Sequence, residues 1–275
     1  GFGMGIATQN SAGETLDVFY PNPLSNIGDE LAAVVSGLSG PLDSDQLAEL
    51  SKGFSAVGAD EQAKLADQLR ASTGRVVATT LIDNTAPASV ADAYLKLHLL
   101  SHRKVEPHGT DLEGLFGLLP NVAWTDQGAV CLVDLPQRQL DARLKGAILE
   151  VASVDKFPKM TNYVVPSGVR IAHTARVRLG AYLGEGTTVM HEGFINFNGG
   201  TEGPGMIEGR ISAGVWVGAG SDLGGGCSTM GTLSGGGNII ISVGRECLIG
   251  ANAGLGIPLG DRCTIEAGLF ITAGT

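Results

Sequence analysis

Residues 171–195 read IAHTARVRLGAYLGEGTTVMHEGFI, and in them Ile171, Val177, Leu183, Val189 and Ile195 fall six apart without a break. The spacing resumes at Ile211, Val217 and Leu223, then at Val243, Ile249 and Leu255, and again at Leu259, Ile265 and Ile271. A glycine commonly follows the aliphatic residue, as in Leu183-Gly184, Val217-Gly218, Leu223-Gly224, Val243-Gly244, Ile249-Gly250 and Leu259-Gly260. This is a hexapeptide repeat. Each unit is a short strand and a turn, three units close a triangular coil, the aliphatic residue fills the interior, and the small residue lets the chain bend at the corner. One or two such hexads arise by chance, but runs of five, three, three and three do not.

The period breaks between the runs. From Ile195 to Ile211 there are four residues too many for whole hexads, and from Leu223 to Val243 two too many. The first break holds Asn198-Gly199-Gly200-Thr201-Glu202-Gly203-Pro204-Gly205, the second Ser234-Gly235-Gly236-Gly237-Asn238. Both are expected to leave the coil as loops, and loops standing off a rigid prism are where function concentrates.

Most of the 42 glycines follow Val165, whereas helix-forming residues concentrate before it. In the earlier part, Asp60 to Arg70 and Val90 to His102 read as amphipathic helices, the second opened by Ser89-x-x-Asp92 as a capping box. Arg75 to Ile82 and Ala147 to Val154, rich in β-branched residues, read as strands. The expected organisation is a small α/β domain over residues 1–165 followed by a mainly β, parallel β-helix domain over residues 166–275, with Ser153 to Pro166 as the connector.

Composition removes several classes of function. A formal net charge of −10 without a basic stripe argues against nucleic-acid binding, which needs cations to neutralise phosphates. No run of about 18 apolar residues occurs, so no membrane span is expected. The first residues lack a basic segment followed by an apolar one, so no signal peptide is expected and the chain reads as cytoplasmic. Its opening at Gly1 rather than a methionine suggests that a few native residues are missing. Cys131, Cys227, Cys247 and Cys263 include no C-x-x-C pair, which favours buried thiols over a zinc site or a disulfide framework.

Three stretches of the repeat region carry a resemblance: Met190 to Asn198 (MHEGFINFN), Ile207 to Gly214 (IEGRISAG) and Met230 to Gly237 (MGTLSGGG). With Ala93 to Arg103 (AYLKLHLLSHR), Leu119 to Trp124 (LPNVAW) and Asp155 to Met160 (DKFPKM), they closely resemble the tetrahydrodipicolinate N-succinyltransferases, in the branch found in pseudomonads and actinobacteria. The resemblance implies that the solenoid is a left-handed β-helix, an exception to the right-handed crossover rule. It also implies a homotrimer with active sites between neighbouring solenoids. The implied reaction is transfer of a succinyl group from succinyl-CoA to the amine of L-2-amino-6-oxopimelate, the open form of tetrahydrodipicolinate, on the succinylase route to diaminopimelate and lysine. Family members continue past Thr272-Ala273-Gly274-Thr275 into a C-terminal segment, and this sequence stops there. The fold alone leaves two alternatives open: another CoA-dependent N- or O-acyltransferase, or a non-catalytic assembly subunit.

Acyl transfer to an amine needs a neutral amine, a proton acceptor and donors facing the oxyanion. Glu192, at the end of an unbroken hexad run, matches the glutamate to which the family's chemistry is attributed. It would serve as a base or as a carboxylate that takes the acyl group as a mixed anhydride. His191 is the rival, but adjacent strand residues point to opposite sides, so the two are not expected to face the reacting atoms together. Arg210 and Ser212 suit a dicarboxylate substrate through a guanidinium fork and a hydroxyl, although Arg210 could instead pair with Glu208 or Glu202. By resemblance, Gly209, Ser212, Gly235, Gly250 and Ala251 border the pantetheine arm of CoA. Since an acidic protein does not draw an anion from afar, that arm must be held by local N–H groups, a few arginines and apolar contact. Asn196 and Asn198 would orient substrate or stack as a ladder. His98 and His102, four apart on a helix, lack the further ligands of a metal site. Some relatives bind a divalent ion such as Mg2+, but no carboxylate cluster here marks its place.

Overall fold

The computed structural model describes residues 1–231 and 239–273. The chain forms two compact units, one of Gly1–Lys96 with Asp111–Pro158 and one of Leu97–Thr110 with Lys159–Thr275.

In the first unit an antiparallel sheet orders the strands Thr15–Phe19, Phe2–Gln9, Arg75–Thr80 and Gly40–Pro41. Phe2 and Met4 on the central strand meet Leu47, Leu50 and Phe54 of helix Ser44–Ala56 and Ala63, Ala66 and Leu69 of helix Asp60–Leu69 in one core. The helix Ser44–Ala56 starts with a capping box, in which Asp43 accepts from the N–H groups of Asp45 and Gln46 while Gln46 accepts from Asp43. The cap expected at Ser89 is half of such a box. Asp92 N–H donates to Ser89 Oγ at 3.1 Å, but the Asp92 carboxylate takes the N–H of Ala88. A second antiparallel sheet orders Gly128–Cys131, Val122–Thr125 and Val151–Asp155. The strand read from Ala147 begins only at Val151, because Ala147 N–H closes the end of helix Leu135–Leu144 on the carbonyl of Ala142.

The second unit is a parallel β-solenoid. Among the described residues it has three sheets. The six-stranded sheet runs from Arg170–Ile171 to Thr264–Ile265, the five-stranded one from Phe194–Ile195 to Phe270–Thr272, and the four-stranded one from Tyr182–Leu183 to Ser242–Val243. The register is the one the hexads predict: Ile171 stacks on Val189 and Leu223 on Ile249, which stacks on Ile265. Val177, Leu183, Val189, Val217, Ile249 and Ile265 are all at most 2% exposed. The repeat therefore specifies the interior.

The first break in the period has a different cause from the one expected. Asn198–Gly205 does not leave the coil: Gly200–Thr201 is a strand paired with Tyr182–Leu183 on one side and Trp216–Val217 on the other. Thr201 occupies the interior slot, and a polar residue there hid the hexad from an aliphatic count. Its hydroxyl lies 2.7 Å from that of Thr187, which also reaches the carbonyls of Gly184 and Gly203. Buried hydroxyls satisfied in this way are cheap to keep inside. The irregularity is a shortened corner, since Ile207 and Ile211, both fully buried, are only four apart. Thr229 fills the next such slot, its hydroxyl donating to the Arg210 carbonyl, so the surplus of the second break lies between Thr229 and Val243. Ser234 to Asn238, read as a loop there, lie outside the described residues.

The glycines after the aliphatic residues also act differently. A Cβ on Gly218 would stand 2.7 Å from the amide nitrogen of Arg245, and one on Gly224 2.8 Å from that of Ala251. Those glycines permit neighbouring coils to stack closely. The bend itself falls three residues before the interior side chain, at left-handed positions such as Gly180, Gly186, Asn198, Gly214 and Asn252. Cys227, Cys247 and Cys263 sit two residues before Thr229, Ile249 and Ile265; the first two are buried and all are free thiols.

Candidate active site

The edge between the six-stranded and five-stranded sheets collects the sequence's strongest candidates. Going along the solenoid, successive coils turn this corner at Thr174–Arg176, His191-Glu192, Glu208-Gly209, Gly225-Gly226, Ala251-Asn252 and Ala267-Gly268. Backbone bonds tie the turns together: Phe194 N–H to the Gly209 carbonyl at 3.0 Å, Asn252 N–H to Gly225 at 3.0 Å and Gly268 N–H to Ala251 at 2.8 Å. Glu192, Gly209, Gly250 and Ala251, far apart in sequence, therefore lie along one edge. Stacking alone already demands glycine at two of these places. A Cβ on Gly209 would strike Cys227 Sγ, and one on Gly250 the Ala267 backbone. Gly235 lies outside the described residues.

Glu192 is exposed, and both of its oxygens are taken. Arg176 Nη2 donates to Oε2 at 2.8 Å, and His191 Nδ1 lies 2.7 Å from Oε1. The hydrogen bond from His191 first, and then the charge of Arg176, hold its carboxyl below the usual range. The expectation that His191 and Glu192 diverge is not met, because the two stand in a turn rather than a strand and their side chains meet. Glu192 occupies the corner position three before Ile195 but is not among the positive-φ residues, so this corner differs in form from most of its neighbours. The ring of His173, from the preceding coil, meets His191 edge to face at 5.2 Å.

Next to this edge, the outer surface of the five-stranded sheet carries Arg210 one residue before its interior neighbour Ile211. Arg210 is exposed and its Nε makes only a long 3.4 Å contact with Ser228 Oγ. Glu202 is engaged elsewhere, by Arg245 and the Ala219 N–H, which push its pKa down to about 2. The ion pair weighed for Arg210 with Glu208 or Glu202 is absent among the described residues, leaving the guanidinium accessible to a ligand. Ser212 donates its hydroxyl to the Thr229 carbonyl and its N–H to Thr229 Oγ1, so it faces any ligand as an acceptor.

Arg176 and Arg178 were missed by sequence reasoning. They flank the interior residue Val177, and strand parity projects both outward on the face that holds Phe194 and Arg210. Applying the hexad register to the polar residues, and not only to the aliphatic ones, would have found them. Arg178 donates to Asn196 Oδ1 at 3.1 Å and lies 5.9 Å from the centre of the Phe194 ring. Asn196 and Asn198 form no ladder. The first accepts from Arg178 and the Phe197 N–H, the second from the His108 N–H. His98 and His102 pack ring on ring at 5.6 Å, with Tyr163 edge-on to His98. Among the described residues no group of three or more His, Cys, Asp and Glu could hold a metal ion.

Two family models match the sequence: "Tetrahydrodipicolinate N-succinyltransferase middle" over residues 119–159 and "Hexapeptide repeat of succinyl-transferase" over residues 240–273. A 2,3,4,5-tetrahydropyridine-2,6-dicarboxylate N-succinyltransferase of Pseudomonas putida is 64% identical, over 98% of this chain and 81% of its own length. The chain belongs to the tetrahydrodipicolinate N-succinyltransferase family. The Vibrio cholerae protein of the same name is 53% identical over 99% of this chain and 82% of its own. A crystal structure of a family relative from Campylobacter jejuni, titled a 2,3,4,5-tetrahydropyridine-2-carboxylate N-succinyltransferase, superposes with a TM-score of 0.91 at 32% identity, covering 100% of this chain and 78% of that one. Family membership thus rests on nearly the whole chain and not on the repeat alone.

Proposed function

We propose that this chain transfers the succinyl group of succinyl-CoA to the amine of L-2-amino-6-oxopimelate, the open form of tetrahydrodipicolinate, in the succinylase branch of diaminopimelate and lysine synthesis. The observation that carries the site assignment is the edge itself, which gathers a clamped carboxylate, small residues and three outward arginines. Glu192 is the acyl acceptor. A carboxylate kept ionised by two donors is a poor proton acceptor, yet each oxygen retains a lone pair for attack. Gly209, Gly250 and Ala251 leave room along the edge for the pantetheine arm, and Arg210 with Ser212 receives a carboxylate and a donor group of the acceptor substrate.

The chain works as a homotrimer with its sites between neighbouring solenoids. Support comes from unburied apolar side chains: Val133, Leu144 and Ile148 in the first unit and Met206 and Leu248 on the six-stranded sheet are each at least half exposed. A light-scattering mass of one chain at micromolar concentration would overturn this. Among the described residues no helix is long and apolar enough to cross a membrane. Four free thiols suit a reducing compartment, which supports a cytoplasmic location.

Thiol release measured over a panel of acyl-CoAs and amine acceptors tests the reaction. Succinyl-CoA with the 2-amino-6-oxo dicarboxylate should be the fastest pair. Faster release with an amino sugar, or no CoA binding at all, would reject the proposal.

A further inference from the structure

Within the proposed reaction, and resting on Glu192 as its acyl acceptor, we infer that His191 is the catalytic base that takes the proton of the attacking amine through Nε2. The 2.7 Å contact between His191 Nδ1 and Glu192 Oε1 decides which imidazole nitrogen is free. An ionised Glu192 can only accept, and Arg176 at 2.8 Å keeps it ionised, which places the imidazole hydrogen on Nδ1 and leaves the Nε2 lone pair unused. The ring is exposed, with 68% of the side chain accessible, and no hydrogen bond to Nε2 occurs among the described residues. The charged and titratable groups facing it are Glu192 on its own corner and, from the preceding coil, His173 and Arg176.

The chemistry then divides between two adjacent side chains. In the first step a Glu192 oxygen attacks the thioester carbonyl, a C–O bond forms, the C–S bond breaks, and the electron pair leaves on the CoA sulfur. In the second step the amine nitrogen attacks the succinyl carbonyl of the anhydride. A C–N bond forms, the C–O bond returns its pair to Glu192, and the nitrogen loses its proton to His191 Nε2. That proton passes on to the CoA thiolate or to water, restoring the neutral ring. Glu192 cannot easily take this proton itself, since the two donors that orient it also lower its basicity. One carboxylate would thus serve twice, as nucleophile and as the group that fixes the tautomer of its neighbour.

Rapid-quench measurement of CoA thiol release with His191→Asn separates the two steps. The variant should give a first-turnover burst close to one thiol per active site at the parent rate, followed by steady turnover reduced roughly 10²-fold or more. Added imidazole should restore part of the steady rate in His191→Ala. Because the ring is exposed, both variants should melt like the parent. Turnover within twofold of the parent would overturn the inference. Loss of the burst together with turnover would overturn it too, placing His191 in the first step instead. Failure of the underlying reading is seen separately, in a Glu192→Gln variant that keeps the burst.

Discussion

Glu192→Gln is expected to lower turnover by roughly 10²–10⁴ while leaving the affinity for CoA almost unchanged. Glutamine preserves size and can still accept a hydrogen bond, but it carries neither the charge that binds Arg176 nor an oxygen able to attack a thioester. The loss should appear in kcat rather than in KM, because no uniform contact to the donor is removed. A merely structural Glu192 would behave otherwise. As the partner of Arg176 and His191 on an exposed corner, its replacement would lower the melting temperature and spare the folded fraction's activity. A succinyl adduct on Glu192 in the parent enzyme, sensitive to hydroxylamine, would be the positive counterpart. Near-normal turnover in Glu192→Gln would remove the residue from the chemistry altogether.

How the site assembles shows what a sequence reveals and what it hides. The aliphatic register was legible because the solenoid interior tolerates almost nothing else: its predicted interior residues are buried except Ile171 in the first coil and Leu259 and Ile271 in the last, which are partly exposed. It failed where the interior slot holds threonine. Thr201 and Thr229 interrupt the aliphatic count, but their hydroxyls are satisfied by Thr187 and by the Arg210 carbonyl, so the coil continues through them. That misreading turned a stacked strand into an expected loop and displaced the real anomaly, the short corner at Glu208-Gly209. The corner geometry was hidden for a related reason. Alternation along a strand predicts that His191 and Glu192 diverge, and a turn cancels that rule and brings them within hydrogen-bond distance. Arg176 and Arg178 were legible in principle. Their place on the outer face follows from parity around Val177, but the contact of Arg176 with Glu192 depends on which coils stack at that edge. In the first unit, burial of Phe2 and Met4 against the helices is a long-range pairing that local patterns do not announce.

The interior makes the second large prediction. Ile249 is 1% exposed, stacked between Leu223 and Ile265, and the next two residues are Gly250 and Ala251 on the candidate edge. Ile249→Ala is expected to destabilise the solenoid by about 2–4 kcal/mol, from lost burial and from a cavity that rigid neighbouring coils cannot close. Thr201→Val is the informative comparison. It keeps the volume and the β-branch in an equivalent slot and removes a hydroxyl whose partner, Thr187, still reaches two carbonyls. Its cost should be about 1 kcal/mol or less. Chemical denaturation of both variants measures the difference, provided that the slope with denaturant stays that of the parent. If Ile249→Ala proved as mild as Thr201→Val, the interior would not be the tightly packed core that the register implies. If Thr201→Val were instead the more damaging change, the paired threonines would be specifying the coil, and the polar slot, rather than the aliphatic ones beside it, would hold the register at that level.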